Sequence, residues 1–103
     1  MNFSELLEKV RSLASTLKPS PQEFLAVQVN IENEGVFYVE VKDGRVNVEP
    51  YEYHDRNCAI TMNLENFVKL LEGNLDPVKA FTFGKLKVDG DLGKALEFSK
   101  LIK

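Results

Sequence analysis

The feature that most narrows the fold is a period-two alternation that occurs three times between Leu25 and Val48, with turn residues after the first two runs. In "FLAVQVNI", Leu25, Val27, Val29 and Ile31 alternate with Ala26, Gln28 and Asn30, the pattern of a half-buried strand. "ENEG" supplies turn residues, and "VFYVEV" sets Phe37, Val39 and Val41 on one side. "KDGR" turns the chain again, and "VNVEPYEY" opens a third strand with Val46 and Val48. Three strands joined by two short turns predict an antiparallel meander. Its apolar face needs a cover from elsewhere in the chain.

The flanking segments supply that cover. Phe3, Leu6, Leu7, Val10, Leu13, Ala14 and Leu17 hold helical spacing, Asn2 with Glu5 forms a capping box, and "KPSPQ" ends the pattern. After the polar "YHDRN", "CAITMN" alternates Cys58, Ile60 and Met62 against Ala59 and Thr61 and predicts a fourth strand. Asn63 caps a helix with Leu64, Phe67, Val68 and Leu71 on one stripe, and Gly73 stands at its left-handed end. Asp76 and Pro77 start a short helix. "GKLKVDG" predicts a strand with Leu86 and Val88 inward and Lys85, Lys87 and Asp89 outward. Asp91 caps a last helix with Leu92, Ala95, Leu96 and Ser99 on one stripe, widened by Phe98, Leu101 and Ile102. The order helix, four strands, helices, strand, helix predicts an α+β fold in which one sheet is covered on one face by helices.

A chain of 103 residues fits one domain, expected to span residues 1–103, and buries roughly 65% of its unfolded surface. No apolar run approaches the ~20 residues that cross a bilayer. The start, "MNFSELLEKVRSLASTL", has acidic residues and no continuous apolar centre, so it does not read as a secretory signal, and the single cysteine, Cys58, agrees with a reducing compartment. A cytoplasmic location is expected. The net charge of -3 argues against a nucleic-acid partner, but the charge is uneven. Residues 30–55 hold seven acidic side chains against Lys42 and Arg45, whereas six lysines from Lys79 onward face Asp89, Asp91 and Glu97.

Catalysis finds few candidates. His54 lies in a polar loop beside Asp55, and neighbours on an extended chain point in opposite directions, so the two make a poor acid–base pair. Cys58 reads as a small buried hydrophobe, and no serine stands in a nucleophile elbow. Gly84, Gly90 and Gly93 match no phosphate-loop spacing. No enzyme activity, cofactor or metal is expected. Lys85 and Lys87 on one strand face read either as protection of an edge strand or as a binding surface. Phe67, Leu71, Phe81, Phe83, Leu92, Leu96 and Phe98 are numerous for their short helices, and periodicity leaves open whether they fill a core or line a cavity.

The stretch "LLEGNLDPVKAFTFGKLKVDGDLGKALEF" resembles the sterol carrier protein family of lipid-binding domains. The matching features are Gly73, Asp76-Pro77, Ala80-Phe81, Gly84-Lys85-Leu86-Lys87, Gly90 and the helix from Leu92, in order and in spacing. The resemblance implies a five-stranded, largely antiparallel sheet with helices over one face and an apolar tunnel between the layers. It also implies binding, without turnover, of a fatty acid, acyl-CoA, isoprenoid or sterol-like lipid, and acyl or isoprenoid ligands fit its stand-alone prokaryotic members better than cholesterol. Under it, Ile60, Met62, Phe67, Leu71, Phe81, Phe83, Leu92, Leu96 and Ser99 are expected to line the cavity. Lys85, Lys87 and Lys94 are expected to meet an anionic headgroup or, transiently, a membrane surface. The sequence stops at Lys103 without the longer tail and peroxisomal signal of some eukaryotic members, which argues against that destination. The alternative is an interaction module of the same fold that scaffolds an enzyme assembly on a lipophilic substrate.

Overall fold

The computed structural model describes residues 1–102. In chain order the elements are α1 (Phe3–Ala14), β1 (Leu25–Ile31), β2 (Gly35–Lys42), β3 (Arg45–Glu49), β4 (Cys58–Met62), α2 (Leu64–Leu71), α3 (Pro77–Thr82), β5 (Lys87–Gly90) and α4 (Leu92–Leu101). One sheet runs in the order β3-β2-β1-β4-β5.

The register sorts the side chains into two faces. Val48, Val39, Val27 and Cys58 form one cross-strand row, and Phe37, Val29, Ile60 and Val88 form the next. Ile31 stands beside Met62 in the same layer. This is the inner, apolar face. The outer face holds Glu49, Tyr38, Gln28, Ala59 and Asp89 in one row and Asn30, Thr61 and Lys87 in another.

Three of the four strand pairings are antiparallel, as expected, and β1 with β4 is parallel, so the sheet is mixed. The topology dictates this. β3 ends at one edge of the sheet while the vacant edge lies beyond β1, and a tight turn cannot bridge that distance. Residues 50–57 therefore cross the outer face to reach β4. There the amide of Tyr53 donates to Gln28 Oε1 at 3.1 Å, and the amide of Asn57 donates to the Ala26 carbonyl at 2.8 Å. The half-buried β1 of the sequence reading is thereby corrected, because Ala26 and Gln28 on its second face are also buried. Gln28 keeps its polar atoms satisfied, its Nε2 donating to Asn30 Oδ1 at 3.0 Å.

Helices cover the inner face. The capping box on α1 is present, with the Glu5 amide donating to Asn2 Oδ1 at 2.8 Å and the Asn2 amide to Glu5 Oε1 at 3.0 Å. Leu6, Val10 and Ala14 are buried, and Arg11 ties α1 to β3 through the Val48 carbonyl at 3.1 Å and Glu49 at 3.0 Å. From α2, Phe67 meets Phe37 edge-on with ring centroids 5.9 Å apart. α4 lies over β1, β4 and β5.

One boundary and one helix rotation differ from the pattern. The strand read from "GKLKVDG" starts only at Lys87, because the amides of Lys85 and Leu86 both donate to the Ala80 carbonyl and belong to the turn out of α3. α4 buries Ala95, Phe98, Ser99 and Ile102, whereas Leu92 is exposed and Leu96 half-buried. More than half of this helix's circumference is apolar, so its period leaves its rotation open, and the sheet beneath decides it.

Candidate functional site

The groups with chemical potential lie apart. His54 is exposed on the crossover, and Cys58 is 1% exposed inside the core. Burial, with the Asp91 charge second, pushes the Cys58 thiol up to about 11, far from a nucleophilic thiolate. Among the described residues, no three His, Cys, Asp or Glu side chains gather closely enough to hold a metal ion.

Apart from Leu96, the nine expected cavity residues divide into two groups. Ile60 and Met62 project from β4 into the inner layer, where Phe67 and Leu71 of α2 and Ser99 of α4 are also buried. Each is no more than 6% exposed. The Ser99 hydroxyl donates to the Ala95 carbonyl at 3.0 Å, so its polar atom serves its own helix. Leu96 is half-buried. Phe81, Phe83 and Leu92 form the second group and stand outside the core at 41%, 74% and 40% exposure.

An open depression of about 360 Å³ is bordered by Phe83 of the second group. The loop after α2 contributes Asn74, Leu75 and Asp76, α3 contributes Lys79 and Ala80, and Phe83 and Lys85 close it. Of the three expected headgroup lysines, Lys85 alone borders this depression. Lys87 stands on the outer sheet face opposite Thr61, and the Lys94 ammonium lies 3.3 Å from Glu97. Lys79, which is not among the expected headgroup lysines, also borders this depression. Its signal is its place four residues before Phe83, which puts both on one side of α3. A second depression of about 370 Å³, bordered by Met1, Leu64, Val68 and Lys69, carries the carboxylates of Glu65 and Glu72.

The local architecture around α3 explains the residues at its ends. Asp76 Oδ1 accepts from the Val78 amide at 2.8 Å, Pro77 opens the helix, and Ala80 packs into the core. Gly84 and Gly90 take positive φ angles of 77° and 101°. At Gly90 a Cβ would stand 2.7 Å from the Asn57 carbonyl oxygen, so the crossover and β5 approach too closely for any side chain there.

Comparison with known proteins matches residues 3–103 to the model of the SCP-2 sterol transfer family. The chain belongs to the SCP-2 sterol transfer family. It is 37% identical over 68 residues to human Sterol carrier protein 2, an alignment that covers 66% of this chain and 12% of that protein. It is 31% identical over 103 residues to zebrafish (Danio rerio) Hydroxysteroid dehydrogenase-like protein 2, covering 96% of this chain and 24% of the relative. This SCP-2 chain thus corresponds to a small part of each relative's length. The fold is also that of the palmitated SCP2L2 from Aedes aegypti, with a TM-score of 0.72, 16% identity and coverage of 99% of this chain and 95% of that one. Asp76 and Pro77 form the capped start of α3, and Ala80 anchors the helix in the core. Among the described residues of this SCP-2 domain, no helix is long and apolar enough to cross a membrane.

Proposed function

We propose that this chain binds the apolar tail of an acyl lipid between the inner sheet face and the helices α2, α3 and α4, and carries it without chemical change. The observation that carries the reading is the continuous apolar layer that holds Ile60, Met62, Phe67 and Leu71, within a chain matched over residues 3–103 to a sterol transfer family. Ile60, Met62, Phe67, Leu71, Leu96 and Ser99 form the wall that meets the tail. Phe81, Phe83 and Leu92 stand at the end where it enters. α3 has six residues and buries only Pro77 and Ala80, so it is the part of the cover that costs least to displace.

An acyl tail of about fifteen methylenes gains on the order of 12 kcal/mol on leaving water, and association costs of about 4–15 kcal/mol offset much of that. An apolar layer that opens at one short helix keeps the remaining cost low, and Met62 and the phenylalanines adapt to tails of different shape. The palmitated state of the Aedes protein of the same fold supports an acyl ligand. The family match favours this reading over a scaffold module.

The test is extraction of natively purified protein for mass spectrometry, followed by titration of delipidated protein with palmitate while the Met62 methyl and Ile60 methyl resonances are observed. Co-purifying acyl lipid and saturable shifts at both methyls are expected. Absence of both binding and methyl shifts overturns the proposal.

A further inference from the structure

We propose that the outer edge of β5 is a self-association surface, through which two copies of this chain join their sheets about a two-fold axis at Val88. The sheet ends in two edge strands, β3 and β5, and the fold treats them differently. α1 packs against β3, where Arg11 Nε donates to the Val48 carbonyl at 3.1 Å and the guanidinium pairs with Glu49 at 3.0 Å. No side chain among the described residues bonds the main chain of β5, and Lys87, Asp89 and Gly90 are exposed there. The ladder fixes what this edge offers. The Glu32 amide donates to the Met62 carbonyl, so Met62 and, by alternation, Ile60 and Cys58 turn their main-chain groups toward β1. Ala59 and Thr61 turn theirs toward β5, where they meet Asp89 and Lys87. Val88, between those two, directs its N–H and C=O away from β4, at an edge with no further strand. An unpaired donor and acceptor of this kind are a template for another strand.

Charge names the occupant as a second copy. Lys87 and Asp89 flank Val88 on the outer sheet face, and neither forms an ion pair among the described residues. Asp91, the next carboxylate along the chain, is engaged as the cap of α4, where it accepts from the Lys94 amide at 3.1 Å. Antiparallel pairing of two β5 strands about Val88 sets each Lys87 opposite the Asp89 of the other copy. The same two-fold axis brings the outward N–H and C=O of Val88 onto their own counterparts, and on the inner face it lays the two half-buried valines against each other. Parallel pairing in register would oppose lysine to lysine and aspartate to aspartate, which disfavours it. A lysine on an edge strand ordinarily keeps other strands away. Here the aspartate two residues on reverses that effect for a copy of the same chain.

Sedimentation equilibrium of the full chain without added lipid, over a series of protein concentrations, measures the association independently of lipid carriage. A monomer–dimer equilibrium that weakens as salt rises is expected. Amide exchange at Val88 should slow as concentration rises, while that at Val48, on the other edge, stays constant. Lys87→Glu sets carboxylates opposite each other across the axis and should raise the Kd about tenfold. Adding Asp89→Lys to that variant restores the complementary order with the charges exchanged and should return the Kd to the wild-type value. Circular dichroism of both variants should match that of the wild type, since both positions are exposed. A wild-type protein that stays monomeric throughout the series, a dimer indifferent to Lys87→Glu, or dimerisation that leaves Val88 exchange unchanged overturns the proposal.

Discussion

The phenolic hydroxyl of Tyr53 donates a hydrogen bond to the Glu40 carboxylate at 2.7 Å, and its ring meets Tyr38 edge-on with centroids 5.1 Å apart. Through this pair the crossover of residues 50–57 is fastened to β2 on the outer sheet face. The bond to Glu40, followed by burial, pushes the Tyr53 hydroxyl from the ordinary 10.0 up to about 12. The folded protein thus holds this proton more tightly than the unfolded chain does, so the stabilisation is complete below pH 10 and is lost as pH rises toward 12. Tyr53→Phe should cost about 1–2 kcal/mol at neutral pH in urea unfolding. Its deficit against wild type should shrink by pH 11, and a constant deficit across that range would show that the hydroxyl proton is not involved.

Gly90 and Gly73 both have positive φ, at 101° and 76°, but they differ in surroundings. A Cβ on Gly73 meets nothing within 4 Å, whereas one on Gly90 meets the Asn57 carbonyl oxygen at 2.7 Å and Cys58 Cα at 3.0 Å. Gly73→Ala should cost about 1–2 kcal/mol from its backbone conformation alone. Gly90→Ala should cost more than about 3 kcal/mol, because β5 has to shift off the crossover. Equal melting temperatures for the two variants would contradict the close approach.

Cys58 is sealed and its thiol is raised to about 11, mainly by burial. A raised thiol stabilises the protonated form in the fold, so its contribution is present below the ordinary value of 9.0 and fades above it. Native protein at pH 8 should react with a thiol-specific chromogenic disulfide only as fast as it unfolds, and urea should release the full reactivity at once. Rapid labelling of the native protein would contradict this burial.

Phe67 and Phe83 separate core from surface. Phe67→Ala removes a fully buried ring that touches Phe37 and should cost about 3–5 kcal/mol. Phe83→Ala, at a position 74% exposed, should change stability by less than about 0.5 kcal/mol. Chemical denaturation of the two variants checks both figures.

Most elements were legible because their signals are local. The capping residues Asn2, Asn63, Asp76 and Asp91 each accept from amides of their own helix, and such bonds depend only on neighbours in the chain. The inner face was legible too, since Val27, Val29, Val39 and Ile60 follow the strict period of a strand. The parallel pairing of β1 with β4 was not, because period two is the same for either strand direction. For the candidate site, pattern and resemblance separate buried from exposed residues only in part. Ile60, Met62, Phe67 and Leu71, brought together by pattern and resemblance, are buried in one apolar cluster, whereas Phe81, Phe83 and Leu92 are exposed and Lys79 borders the depression beside Phe83.

The sequence by itself determined which residues form helices and strands, which strand face is apolar and which family the chain resembles, since all of these rest on spacing between near neighbours. Tertiary structure alone decided that residues 50–57 cross the outer face, that α4 turns Ala95 and Phe98 inward rather than Leu92, and that α3 holds Phe81 and Phe83 out of the core. Those outcomes depend on which surface each segment meets across the fold, and a helix or strand with apolar residues on more than one side takes its orientation from what it packs against.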